Sequence, residues 1–247
     1  MRKIIKIAID SPAAAGAGTQ ARLIANYYNL FYLDTGKIYR FIGLQKIKYK
    51  RNFNYQYINK KIKSLKIKDL EKKNLLSNKV ANEASIIAKD KKIRKIVLKF
   101  QKKYAYNPPK NYRGSILDGR DITSVIIKDA TIKFFITAST KVRALRRYKE
   151  LKSLKKKISY QDVLKSIKIR DKSDYERTYS PLKRTKDSIL INTSNLTKRA
   201  CFLKIKQIID KKLENFSLIY LSRNIFIGLV KYTIMNAIQK GVMTSNK

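Results

Sequence analysis

Residues able to do chemistry gather at several places in this sequence. The run from Ile4 passes from apolar residues into Ser11-Pro12-Ala13-Ala14-Ala15-Gly16-Ala17-Gly18-Thr19 and then into a helical pattern. A strand, a loop of small residues and a helix N-terminus converge backbone N–H groups and a helix dipole on one point, which suits a phosphate. The common pattern for such a loop, G-x-x-x-x-G-K-[ST], has Lys where this chain has Ala17. Asp118-Gly119-Arg120-Asp121 sets three charges around a turn-forming glycine at the end of an apolar run, a composition that packing does not explain. Arg170, Asp174 and Arg177 recur at spacings of four and three, which puts them on one face of a helix that continues through them. As a plain ion-pair ladder, each such pair is worth roughly a few tenths of a kcal/mol. Arg40 stands just beyond Asp34-Thr35-Gly36, and Arg143, Arg146 and Arg147 crowd a further helical stretch.

The elements that must position these residues alternate between strands and helices. Lys3 to Ile9 is short and almost wholly apolar, as a central parallel strand buried on both faces should be. Ala21, Leu23, Ile24 and Tyr27 then recur at helical spacing up to Asn29. Phe31-Tyr32-Leu33, Ser115-Ile116-Leu117, Ile132 to Ile136 and Ser188 to Asn192 read as further strands. Each charged cluster after them falls at a strand's C-terminal end, the edge where open α/β sheets bind ligands. Residues 46–78, rich in Lys, Asn and Tyr, read as a small helical insert with mobile connections, and Lys79 to Tyr104 as the longest helix. Ser159 is an N-terminal capping signal for the helix of Val163, Leu164, Ile167 and Ile169, and a last helix is expected from Thr197 to about Leu213. This alternation predicts an α/β fold around a parallel sheet.

Composition excludes several chemistries. The 247 residues hold no His and one Cys, Cys201, so imidazole acid–base catalysis, His metal sites and an intrachain disulfide are ruled out. Lys and Arg number 58 against 17 Asp and Glu, a formal net charge of +41 that points towards polyanions, nucleotides or a membrane surface. Heavy use of Lys, Ile, Asn and Tyr, all read from A/T-rich codons, explains much of that excess without a partner. No secretory segment is evident at the N-terminus, so a cytoplasmic location is expected. The apolar run Ile225 to Val230, flanked by Arg223 and Lys231, is far shorter than a membrane span.

Six motifs stand in one order: IAIDSPAAAGAGT, YLDTGKIYR, VANEAS followed by Arg94, LDGRD, RALRR, and IRDKSDYER followed by Pro181-Leu182. Together they resemble the bacterial cytidylate kinases, nucleoside monophosphate kinases of the P-loop fold. The resemblance implies a three-layer fold with a central parallel sheet, a helical monophosphate-binding insert at about 37–104 and a lid at about 146–180. One kinase domain over 1–215 and an extension over 216–247 are expected. The implied reaction moves the γ-phosphoryl of ATP to CMP or dCMP with Mg²⁺. A monomer is expected, with neither a membrane nor a specific nucleic acid as partner.

Carried over by position, the resemblance gives Ser11 through Thr19, that is Ser11, Pro12, Ala13, Ala14, Ala15, Gly16, Ala17, Gly18 and Thr19, to ATP, with help from Arg143, Arg146 and Arg147. Ser85, Arg94 and Asp121 go to the cytosine ring, and Arg40, Arg120 and Arg177 to the CMP phosphate. Arg170 and Asp174 lie near the sugar hydroxyls. Thr19 contacts the metal directly and Asp118 through water, so that Arg40, Arg120, Arg177 and Asp118 form the catalytic set. No protein base is needed, because a dianionic phosphate is already a nucleophile. Against the family's loop, Ser11 and Ala14 replace glycines and restrict the backbone. Ala17 removes a preorganised cation, a loss on the order of 10²–10³ in rate unless another residue, Lys37 among them, replaces it. A nucleotide-binding protein without turnover and a basic nucleic-acid-binding protein are the alternative readings.

Overall fold

All five apolar runs are strands, and they pair in parallel. The computed structural model describes residues 4–153 and 157–214. The sheet order is β2-β3-β1-β4-β5, from strands β1 (Ile5–Asp10), β2 (Phe31–Asp34), β3 (Gly114–Gly119), β4 (Ile132–Thr137) and β5 (Ile189–Asn192). Helices α1 (Ala17–Tyr28) and α2 (Thr35–Lys48) follow the first two strands, and α6 (Thr140–Ser153) and α7 (Tyr160–Glu176) lie between β4 and β5. The insert between β2 and β3 adds α3 (Tyr55–Lys63), α4 (Asn78–Ile87) and α5 (Lys91–Tyr106). Ile7, Ala8 and Ile9 on β1 are fully buried, which explains why that strand reads as apolar without alternation. Register pairs Asp10 with Gly119 and Asp34 with Asp118, so the charged strand ends reach one edge of the sheet together.

Two expectations about helices are corrected. The pattern from Lys79 to Tyr104 is two helices, because the Asp90 carboxylate accepts from Lys92 N at 2.7 Å and Ile93 N at 3.0 Å and so caps a new start. Helix α7 ends at Glu176, and Arg177 takes an extended backbone (φ −64°, ψ 138°) instead of continuing the face of Arg170 and Asp174. The insert is also more built than expected, with 3₁₀ turns at Lys50–Asn52, Ile67–Glu71 and Lys73–Leu76 and buried Leu65, Leu70 and Leu75. Close packing there depends on Gly43, where a Cβ would come within 3.1 Å of Ala84 N and 3.2 Å of Val80 O on α4.

Residues 198–214 are helical. The chain divides into two compact units, Met1–Phe202 with the whole sheet and Leu203–Lys247, described over 203–214. The expected extension over 216–247 lies outside the described residues. Among the described residues no helix is long and apolar enough to cross a membrane.

Asp10 fixes the turn that follows β3. Its buried carboxylate accepts from Ile122 N at 2.7 Å, Thr123 N at 2.9 Å and Thr123 Oγ1 at 2.5 Å, and holds the π-helical turn Ile122–Ile126 beside β1. Burial pushes its carboxyl up to about 6 in spite of those donors. Replacing Asp10 by Ala strands three buried donors, so Asp10→Ala should lower stability by about 3–5 kcal/mol in denaturant titrations. Asp10→Asn, which keeps one acceptor oxygen, should lose less.

Candidate active site

The loop after β1 is anchored from three sides. Ser11 N donates to Gly119 O at 3.1 Å, Arg143 Nη1 to Ala13 O at 3.0 Å and Thr193 Oγ1 to Ala15 O at 3.1 Å. Gly16 caps α1 with φ 90° and offers no side chain to its first N–H groups, and no acidic residue stands in that first turn. The donors and dipole of the helix are therefore left for an anion. Ala14 has φ 59°, the left-handed region where a Cβ is strained, whereas Ser11 is not among the residues with positive φ. Thus the expected restriction falls on Ala14 alone.

A second group of residues is brought together from Tyr39 to Leu182 of the sequence. Arg120, at the end of β3, donates from Nε to Asp174 on α7 at 2.7 Å. Arg177 donates from Nε to Ser180 O at 2.6 Å, and its Nη1 lies 3.9 Å from Asp174 Oδ1. Leu182 N donates to Asp174 O at 2.8 Å and closes that turn. Arg94, on α5, is ion-paired with Asp121, donates to Ala88 O at 3.0 Å and lies 5.4 Å from the centre of the Tyr39 ring. Arg40 reaches Leu75 O at 3.0 Å. Ser85 is half-buried on α4 and forms no hydrogen bond among the described residues, so its link to this group is its position alone.

Positive charge outweighs negative in this group. Burial, then Arg120, Arg40 and Arg147, pushes the Arg170 guanidinium down to about 10. Burial and the neighbouring Arg94 likewise lower Arg177, and burial with Arg147 and Arg120 lowers Arg40. Asp174 sits below the usual carboxylate range in spite of its burial, held there by Arg120 and Arg170. Arg170 Nε and Arg177 Nη2 are buried with no hydrogen-bond partner among the described residues. Buried donors without partners are rare in proteins, and an oxyanion would satisfy both.

The three arginines of α6 differ in their use. All five donors of Arg143 are engaged: Nε with Ala138 O, Nη1 with Ala13 O and Asp171 Oδ1, and Nη2 with Thr140 Oγ1 and Asp171 Oδ2. That side chain braces the loop against α7 and has no N–H left for a nucleotide. Arg146 donates to Thr193 Oγ1 at 2.8 Å and Thr193 O at 2.6 Å, and its Nη1 lies 4.0 Å from where a Cβ on Gly16 would stand. Arg147 pairs with Glu150 at 2.8 Å.

Between the loop and the arginines lies Asp118. A Cβ on Gly18 would meet Asp118 Oδ2 at 3.3 Å and Tyr32 Oη at 3.2 Å, and Tyr32 Oη donates to Asp118 Oδ1 at 3.0 Å. Burial and the nearby Asp34 push the Asp118 carboxyl up to about 8. Two crowded carboxylates and the exposed Thr19 hydroxyl are hard oxygen donors beside an anion loop, a set that fits Mg²⁺. Asp10, Tyr32 and Tyr39 escape sequence reasoning. Asp10 carries a signal, as a charge closing an almost wholly apolar strand, while the tyrosines read as ordinary apolar positions.

A five-stranded parallel sheet flanked by helices, with a loop of free helix N–H groups after its central strand and an arginine cluster at the same edge, is an α/β fold consistent with the P-loop kinases. The family model for cytidylate kinase matches residues 7–215. A cytidylate kinase of Clostridium botulinum (strain Loch Maree / Type A3) is 40% identical over 222 residues, covering 84% of this chain and 95% of that protein. Those of Thermosipho melanesiensis and Fervidobacterium nodosum are 38% and 39% identical over 84% of the chain and 97% of each protein. The chain belongs to the cytidylate kinase family.

Strain at Ala14 has a direct readout. Ala14→Gly should raise stability by up to about 1 kcal/mol in denaturant titrations, relief of the left-handed Cβ outweighing the entropy gained by the unfolded chain.

Proposed function

We propose that the chain transfers the γ-phosphoryl group of ATP to CMP or dCMP, giving CDP or dCDP. The observation that carries this reading is the pair of unpartnered buried donors, Arg170 Nε and Arg177 Nη2, inside an arginine cluster beside a phosphate loop. A monophosphate dianion placed there satisfies both donors and offsets the mutual repulsion of the guanidiniums.

Each residue then has a task. Arg40, Arg120 and Arg177 hold the CMP phosphate in line with ATP, and forked guanidiniums suit both the binding and the orientation. Asp121, fixed by its ion pair with Arg94, accepts from the cytosine amino group, whereas a uracil oxygen at that position meets a carboxylate of like polarity. Ser85 lies at the same end of the insert, and Arg170 and Asp174 face the sugar. Residues 11–19 cradle the ATP phosphates, with Arg146 and Arg147 alongside. Thr19, directly, and Asp118, through water, would hold Mg²⁺, which supplies charge neutralisation to the phosphates when bound. In this scheme the insert over about 37–104 and the lid over about 146–180 close on the two nucleotides and exclude water. In this reading a monomer is the working unit, acting on soluble nucleotides of the cytoplasm.

The test is a coupled assay with ATP and CMP, dCMP, UMP or AMP side by side. CMP and dCMP should turn over and AMP should not, and a rate no greater than buffer at high enzyme overturns the reading. Asp121→Asn should lower kcat/KM for CMP by about 10²-fold and shrink the preference for CMP over UMP at least tenfold, because an amide presents a donor to the uracil oxygen.

A further inference from the structure

Ala17 leaves the phosphate loop without a cation of its own. We propose that Arg22, one turn into α1, supplies the positive charge that ATP phosphates meet at this loop. The inference rests on the kinase reading above and adds a residue to it.

Position comes first. Arg22 lies four residues after Gly18 on α1, on the same helix face, and helical side chains lean back towards the N-terminus of their helix. Its guanidinium is thereby directed at the turn that carries Gly18 and Thr19. Its carbon Cζ lies 5.6 Å from the centre of the Tyr32 ring, whose hydroxyl bonds Asp118 at 3.0 Å. Gly18 faces those same two side chains, 3.2 and 3.3 Å from where its Cβ would stand. Gly18, Tyr32, Asp118 and Arg22 thus form one corner, at the metal side of the loop.

Availability is the second argument. Arg22 is exposed and has no ion pair or hydrogen bond among the described residues, only its place over the Tyr32 ring. Such a contact at an exposed site is worth about 0.5–1 kcal/mol, less than a charge-assisted pair with a phosphate, so ATP outcompetes the ring for the guanidinium. The other cations near the loop each have a protein partner to share with a nucleotide. Arg143 has every donor engaged, Arg146 is pinned to Thr193, Arg147 pairs with Glu150 and Arg120 with Asp174. Among the described residues no contact places the Lys37 side chain at the loop or at Asp118, and its backbone N–H is engaged with Asp34.

In the reaction, the bond between the γ-phosphorus and the β–γ bridging oxygen breaks. A CMP phosphate oxygen bonds to that phosphorus, and the bridging oxygen leaves with its electron pair on ADP. Arg22 donates to non-bridging phosphate oxygens while this charge moves, a task that a lysine at position 17 performs in the G-x-x-x-x-G-K-[ST] pattern.

The test compares Arg22→Ala, Arg22→Lys, Ala17→Lys and the double variant Ala17→Lys/Arg22→Ala in the full chain. Arg22→Ala should lower kcat by about 10²-fold and weaken ATP binding without Mg²⁺ by about tenfold in calorimetry, with CMP affinity unchanged and Tm lowered by no more than about 4 °C. Arg22→Lys should keep most of both, and Ala17→Lys placed in the Arg22→Ala background should recover at least about tenfold in kcat. A kcat and an ATP affinity of Arg22→Ala within about threefold of wild type overturn the proposal, as does a loss that Ala17→Lys leaves unrepaired. A wild type that binds ATP but does not turn over CMP sinks the kinase reading instead, and the change in ATP affinity then still decides the role of Arg22.

Discussion

Crowding of guanidiniums around Asp174 is the constraint on which the rest of this structure depends. Arg40, Arg94, Arg120, Arg147, Arg170 and Arg177 lie within electrostatic reach of one another, with Asp174, Asp121 and Glu150 as their ion-paired carboxylates. At an effective dielectric near 20, like charges a few ångströms apart repel by kcal/mol amounts, and removing them from water adds to the cost. A chain adopts such an arrangement only if other contacts impose it. Here the β3 end is one such contact, fixed through Asp10 and the π-helical turn. The turn after α7, closed by Leu182 N on Asp174 O, is another. The excess of positive charge is what, in the proposed reading, draws a dianion to the site.

Loop and cluster are mechanically one unit. Arg143 ties Ala13 of the loop to Asp171 of α7, three residues before Asp174, and a buried bidentate pair of this kind fixes orientation more than it adds stability. A movement of α7 therefore carries to the loop. Gly119 shows how tightly the corner is built: a Cβ there would stand 2.5 Å from Thr35 Oγ1, whose hydroxyl bonds Asp118 O at 2.8 Å. Backbone at the β3 end is pressed against the start of α2 so that Arg120 and Asp118 emerge side by side.

Strands, loop and cluster positions were legible because they follow from local pattern. A buried parallel strand must be apolar on both faces, as β1 is, and a charge cluster at a strand's end has few roles other than a ligand's. Partnerships formed across the fold were less legible. Asp90 divides a continuous apolar periodicity into α4 and α5 because one carboxylate captures two backbone N–H groups, a choice that periodicity does not encode. Arg177 leaves the helix face that its spacing suggests, yet the turn returns it to Asp174, so spacing gave the right neighbour through the wrong conformation. Arg143 read as one lid arginine among three, and only the positions of Ala13 and Asp171 reveal it as a brace. Tyr32 and Tyr39 were indistinguishable from core positions until the side chains facing them were known.

The central claim is that the arginine cluster is a site for a phosphate dianion and that its two unpartnered donors are the mark of it. Calorimetry of CMP against cytidine, at low salt and without ATP, tests this most directly. CMP should bind at least about 10²-fold more tightly than cytidine, the difference residing in charge-assisted bonds to the phosphate. Equal affinities for the two would contradict the account.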